Sequence, residues 1–285
     1  MRFEDLPFEL RSSIYIPLQR WELHRLMLTC RWLNREISVI LYRTCTFTRG
    51  STSSKLVATL TNSPHLSALV YGFLIISGDT PWDQMLLALQ QTVNLKRLVL
   101  QRPKTQLIKP SGFKGCTFKL ETFETSLEID DFLGEFLETQ TALRAIYFRY
   151  FGFFSFDSPD APLRAPTLPN LVILSAQPKT LRVMLPGRSL THLEIVGSES
   201  SGVLVLDSIW NESFIANPTP RALRMLPFPL SIDYWRDIPT FFPKLRYLNM
   251  NASLPVCLWI FRYHLAFLSA SVPHRRQCKS RFSRH

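Results

Sequence analysis

The stretch "VNLKRLVLQ", residues 93–101, places apolar side chains at Leu95, Leu98 and Leu100, that is at i, i+3 and i+5. Seven further segments share the comb: "PHLSALVYG" at 64–72, "FKLETFETS" at 118–126, "TALRAIYFR" at 141–149, "PNLVILSAQ" at 169–177, "RSLTHLEIV" at 188–196, "RALRMLPFP" at 221–229 and "PKLRYLNMN" at 243–251. All eight are apolar at i and i+3. Seven are apolar at i+5, where the segment at 118–126 has Thr125. The anchors read as Leu66, Leu95, Leu120, Leu143, Leu171, Leu190, Leu223 and Leu245, spaced 29, 25, 23, 28, 19, 33 and 22 residues apart. A recurrence of this length means one structural unit stacked many times, since a single unit cannot bury its apolar face alone.

The "LxxLxL" comb resembles the leucine-rich repeats, whose period is 20–29 residues. The resemblance implies parallel strands with helices on the convex side. It fails at i+8, where the family has Asn or Cys and this chain has Leu74, Pro103, Glu128, Phe151, Lys179, Ser198, Ser231 and Ser253. The backbone groups that an Asn ladder would satisfy must therefore find other partners. Helical periodicity at 53–63, 82–92 and 129–140 marks helices before the strands of the first, second and fourth segments. The competing architecture is a doubly wound α/β domain. It needs longer continuous apolar strands and a Gly-rich phosphate loop, whereas this chain has ten Gly and lacks GxGxxG.

Side chains alternate along a strand. Residues at i, i+3 and i+5 should face the core, with Leu95, Leu98, Leu171 and Leu245 among them. Residues at i+2, i+4 and i+6 should face outward. Arg97, Gln101, Tyr147, Arg149, Gln177, His192, Glu194, Tyr247, Asn249 and Asn251 are therefore the candidates for binding a target protein.

Ahead of the repeats stands "LPFELRSSIYIPLQRWELHRLMLTCRWLN", residues 6–34. Pro7 suits the start of a helix. Leu10 and Ile14 fall on one face of it, and Pro17 ends it. Leu23, Leu26 and Cys30 form a second apolar stripe; Leu33, Ile37, Ile40 and Leu41 form a third. Three helices in about 40 residues bury too little surface to stand alone, so they must pack on the repeats or on another protein. Residues 3–47 resemble an F-box, in the divergent form common in fungal proteins. Leu6-Pro7, Glu9-Leu10, Ile14, Leu18, Leu23, Leu26, Cys30-Arg31-Trp32 and Leu41-Tyr42-Arg43 carry the resemblance. Pro17 and Arg20-Trp21 depart from it. The resemblance implies docking on the Skp adaptor of a cullin-based ubiquitin ligase. Leu6, Pro7, Leu10, Ile14, Leu18, Leu23, Leu26, Cys30 and Trp32 would be the contact or supporting residues. A helical cap on the following domain is the alternative.

The chain has 285 residues, is 46% hydrophobic and carries a formal net charge of +11. Six uncompensated cations (Arg262, Arg275, Arg276, Lys279, Arg281 and Arg284) lie in residues 252–285. The other 251 residues therefore carry +5. That distribution reads as a basic tail on a nearly balanced body rather than a nucleic-acid groove. The five cysteines are scattered, without CxxC or metal-ligand spacing, as expected of reduced thiols. The N-terminus lacks a signal-peptide pattern, so the Asn211 and Asn251 sequons carry no weight. The most apolar window, residues 254–272, holds Arg262 and His264 at its middle, which argues against a membrane span. Leu258, Phe261, Leu265 and Leu268 instead predict an amphipathic helix capping the last strand.

Catalytic signatures are missing: GxxxxGK[ST], GxSxG and HExxH do not occur. His192 and Glu194 share a strand face without a nucleophile nearby. Glu128, Asp130, Asp131, Glu135 and Glu138 fit the solvated side of a helix whose Phe132, Leu133, Phe136 and Leu137 point inward. The aromatic run at 145–156 fits core better than a base-stacking platform.

The expected layout is α/β: a helical F-box-like motif at 1–48, an irregular leucine-rich-repeat solenoid at 49–251, a capping helix at 252–272 and a basic disordered tail at 273–285. The expected function is that of a substrate receptor in an SCF-type ubiquitin ligase, cytoplasmic or nuclear. It would be neither an enzyme nor a nucleic-acid or membrane protein, and would need no cofactor or metal. Its partners would be the Skp adaptor, the cullin scaffold and a target protein. A repeat scaffold without ligase role is the alternative.

Overall fold

A computed structural model describes residues 3–48, 51–76, 81–101, 113–127, 131–149, 168–177, 180–181, 184–185, 188–196, 220–226, 238 and 242–250. The expected capping helix, the basic tail, the apolar window at 254–272 and Asn251 lie outside these residues, as do Glu128, Asp130 and the aromatic run beyond Arg149.

After a short 3-10 turn (Phe3–Asp5) come α1 (Phe8–Tyr15), α2 (Arg20–Met27) and α3 (Arg31–Tyr42). The repeats follow: β1 (Thr44–Phe47), α4 (Ser51–Asn62), α5 (Pro64–Ser67), β2 (Gly72–Ile75), α6 (Trp82–Gln91), β3 (Arg97–Leu100), β4 (Thr122–Thr125), α7 (Asp131–Thr139), β5 (Ala145–Phe148), β6 (Ile173–Ala176), β7 (His192–Val196), β8 (Ala222–Leu226) and β9 (Tyr247–Met250). The nine strands form one all-parallel sheet in strict sequential order, β1 to β9. A doubly wound sheet reverses its strand order partway; this one does not. Each strand is followed by a return segment and pairs with the next, so the chain advances as a solenoid-like stack.

The ladder fixes the comb. Phe73, Leu98, Phe123, Ile146, Leu174, Leu193, Leu223 and Leu248 occupy one register row. Two anchors read from sequence are therefore displaced. In the first segment Val70, Phe73 and Ile75 form the comb, not Leu66, Leu69 and Tyr71; Leu66 lies in α5. In the seventh, Pro220, Leu223 and Met225 form it, so Leu223 sits at i+3 rather than i. A ninth unit, Tyr42, Cys45 and Phe47, precedes them all, and its strand lies inside the segment assigned to the N-terminal motif. The i positions are then 42, 70, 95, 120, 143, 171, 190, 220 and 245, spaced 28, 25, 25, 23, 28, 19, 30 and 25. The corrected spacing is more even than the comb chosen from sequence.

One continuous core runs along the stack, built from these rows and the inner faces of α4, α6 and α7. Leu133, Phe136 and Leu137 point into it, while Glu135 stays exposed. Two aromatic stacks, Phe47 on Phe73 and Phe113 on Phe136, each 4.4 Å apart, fill gaps between units. Thr125, the polar exception at i+5, is fully buried, and its hydroxyl accepts the Leu127 N–H at 3.0 Å. The missing Asn ladder is replaced locally. Asn94 donates to the Ala68 carbonyl (2.8 Å) and Asn170 to that of Thr141 (2.9 Å). Gln140 accepts the Leu120 N–H (2.9 Å). Each of these three backbone groups thus finds a side-chain partner one unit away.

At the far end the core row opens. Leu248 is 39% exposed, whereas every other member of its row is almost completely covered.

Candidate protein-binding surfaces

The N-terminal helices hold together through a small core of Tyr15, Leu23 and Ile37. A polar clamp sits beside it. Arg11 Nε contacts Glu36 Oε1 at 2.7 Å, and the Tyr15 hydroxyl donates to Glu36 Oε2 at 3.2 Å. Arg11 also donates to the carbonyls of Glu4 (3.0 Å) and Leu6, tying the entry segment to α3. Burial, then the Glu36 carboxylate, pushes the Tyr15 phenol up to about 12.

Leu26 and Met27 pack on this core, but four apolar side chains of α1 and α2, and two just beyond their ends, stay outside it. Leu10 is 55% exposed, Ile16 77% and Leu28 73%; Phe8, Ile14 and Trp21 are also exposed. Scattered exposed apolar residues are ordinary, and this density on and beside three short helices makes them the candidate docking surface. The nine candidates divide accordingly. Pro7, Leu10, Ile14 and Cys30 are exposed; Leu6, Leu18, Leu26 and Trp32 are half-buried; Leu23 is buried and serves the helix core. Trp32 is held edge-on to Phe3 (6.0 Å) with Arg11 over its ring (5.1 Å). Cys30 precedes α3 in an extended conformation, beside a cavity of about 500 Å³ lined by Met27, Leu28 and Asn34.

The second surface is the sheet face opposite the core. The ladder puts Glu124, Tyr147, Ser175, Glu194 and Arg224 in one row across β4 to β8. Arg149 closes a network over it. Its guanidinium lies 3.7 Å from Glu124, 3.3 Å from Glu194 and 5.2 Å from the Tyr147 ring centre. Arg224 reaches Glu194 at 3.5 Å. The Glu194 side chain is only 10% exposed; Arg149 donates to its Oε2, while Oε1 has the Arg224 charge nearby but no hydrogen bond among the described residues. Ser175 is fully buried, and its hydroxyl has no hydrogen-bond partner among the described residues.

Of the outward candidates, Tyr147, Arg149 and Glu194 are brought together here. His192 is exposed, and its Nδ1 is 2.8 Å from the Thr191 hydroxyl; Glu194 turns to the arginines instead. Gln101 and Gln177 are half-buried. Arg97 and Asn249 are exposed, as is Tyr247 at 71%; Arg97 stands two strands before β5, Tyr247 two beyond β7. Glu124 and Arg224 were not picked out from sequence. Glu124 lay at an outward position of its own comb, and Arg224 became an outward residue only once Leu223 moved to i+3.

Among the described residues, no helix is long and apolar enough to cross a membrane. A scan against protein-family models and a search of curated proteins returned no match for this chain.

Proposed function

We propose that the chain is a substrate-receptor subunit of an SCF-type cullin ubiquitin ligase. The N-terminal helices, which resemble an F-box, dock the Skp adaptor. The repeats, which resemble irregular leucine-rich repeats, hold a target protein. The observation that carries this reading is the set of exposed apolar side chains on α1 and α2 (Phe8, Leu10, Ile14, Trp21) and at the end of α1 (Ile16), beside a separate core that keeps the helices folded. An amphipathic helical surface of this kind is a common recognition mode. The Glu124–Arg149–Glu194–Arg224 network gives the sheet face fixed charges at which a target can be selected. The receptor acts by proximity, since tethering turns a bimolecular encounter into an intramolecular one.

Affinity purification with mass spectrometry tests this, comparing the wild-type chain with a Leu10→Asp, Ile14→Asp variant, which alters exposed positions and leaves β1 in the sheet. Recovery of adaptor and cullin by the wild type alone supports the proposal. Recovery of the same binding proteins by both, without adaptor or cullin, supports a repeat scaffold with no ligase role.

A further inference from the structure

We propose that the sheet rim at the N-terminal ends of the strands binds an extended acidic polypeptide segment. In every unit the residue at i+1 turns the chain into its strand. In the first eight units its carbonyl accepts two N–H groups from the next: Arg144 from Val172 and Ile173, Arg221 from Arg246 and Tyr247. Nine such residues therefore stand in a row along one rim. Five are cations, Arg43, Lys96, Arg144, Arg221 and Arg246, and one is an acid, Glu121. Lys119 and Lys244 add charge one position before the anchors. Glu121 is taken up by Lys96 at 3.5 Å. Arg144, Arg221 and Arg246 are exposed and make no ion pair among the described residues.

Arg221 and Arg246 stand on adjacent strands about 4.8 Å apart, where like charges oppose each other. Neither arginine of this pair meets an acid among the described residues, so an anionic partner would relieve the repulsion between them. From Arg43 to Arg246 the row spans eight strand spacings, roughly 38 Å, which about 11 or 12 residues of extended polypeptide would cover. The charge pattern favours a polypeptide over nucleic acid. Glu121, and the uncharged Tyr71, Val172 and Thr191, interrupt the row, whereas a phosphate chain presents charge at every step. A shallow depression open to solvent lies at the Val172 interruption, lined also by Arg144, Asn170 and Ser189.

Fluorescence anisotropy on the full chain, without adaptor, tests this apart from the ligase reading. The probes are a labelled 12-residue peptide with Glu at alternate positions and a 12-nucleotide single-stranded DNA. The triple variant Arg144→Gln, Arg221→Gln, Arg246→Gln should bind the peptide at least tenfold more weakly. A control of equal charge loss, Arg31→Gln, Arg35→Gln, Lys55→Gln, should change it less than twofold. Equal weakening by both variants would reduce the effect to general attraction by a cationic chain and overturn the proposal. DNA bound more tightly than peptide through the same three arginines would overturn it in favour of nucleic acid. Should the triple variant melt early, Arg246→Gln alone carries the test, with a two- to fourfold loss expected and no change refuting it.

Discussion

Replacing Phe73 with Ala tests the strand register on which every outward assignment depends. Phe73 is fully buried in β2 and stacked on Phe47 at 4.4 Å with 23° between the rings. Truncation removes the ring from a site walled by β1, β3 and the helices, which has little freedom to collapse. Phe→Ala in such cores costs about 3–5 kcal/mol. For a chain of this size that corresponds to roughly 6–20 °C in Tm. Leu66, the anchor chosen by the sequence comb, is only half-buried in α5, and Leu66→Ala should cost about 1 kcal/mol. Pairing Phe73→Ala with Phe47→Ala in a double-mutant cycle should return a coupling of about 0.5–1.5 kcal/mol from the stacked rings. Thermal and urea melts followed by circular dichroism measure all three. If Leu66→Ala proves as costly as Phe73→Ala, or Phe73→Ala costs under about 1 kcal/mol, β2 lies in the other register and the displaced row is wrong.

Glu194→Gln should remove the anion shared by Arg149 and Arg224 and destabilise the fold by about 1–2 kcal/mol, because Arg224 is half-exposed and Arg149 keeps Glu124; a urea melt unchanged within about 0.5 kcal/mol, on the order of an ordinary surface substitution, would show that the network is not structural. The Tyr15 phenol is held above its unfolded value of 10, at about 12. Its contribution to stability is therefore complete below pH 10 and lost as pH rises through about 12. Tyr15→Phe should flatten the wild-type fall in stability between pH 10 and 12, and a parallel fall in both proteins would contradict the assignment.

The stack itself was legible because Leu95, Leu98 and Leu100 repeat in a form that only a strand with one covered face requires. The helices at 53–63, 82–92 and 129–140 emerged within two residues of α4, α6 and α7. Register failed where two combs overlap in one segment. Residues 66, 69 and 71 and residues 70, 73 and 75 both satisfy the apolar spacing, and only hydrogen bonding to the Arg43 unit decides between them. At 220 the true anchor is a proline, which an apolar-anchor search passes over. The first unit was hidden because Tyr42, Cys45 and Phe47 contain no leucine and adjoin α3. The placement of charge was hidden for a related reason. Arg43, Lys96, Arg144, Arg221 and Arg246 lie far apart in sequence and read as a balanced body, yet the ladder stacks them on one rim. Conversely, the N-terminal stripe pattern marked apolar faces without showing that Leu23 belongs to the inner core while Leu10 does not.

That last division supplies the most direct test of the functional proposal. Leu10 is 55% exposed, so Leu10→Asp places a charge in water on the isolated chain and should leave its melting temperature nearly unchanged. Against an apolar partner the same charge would be buried unpaired. Titration calorimetry of the purified chain with purified Skp adaptor should show binding by the wild type and none by the folded Leu10→Asp variant. Absence of binding by the wild type, or equal affinity for both, would contradict the account.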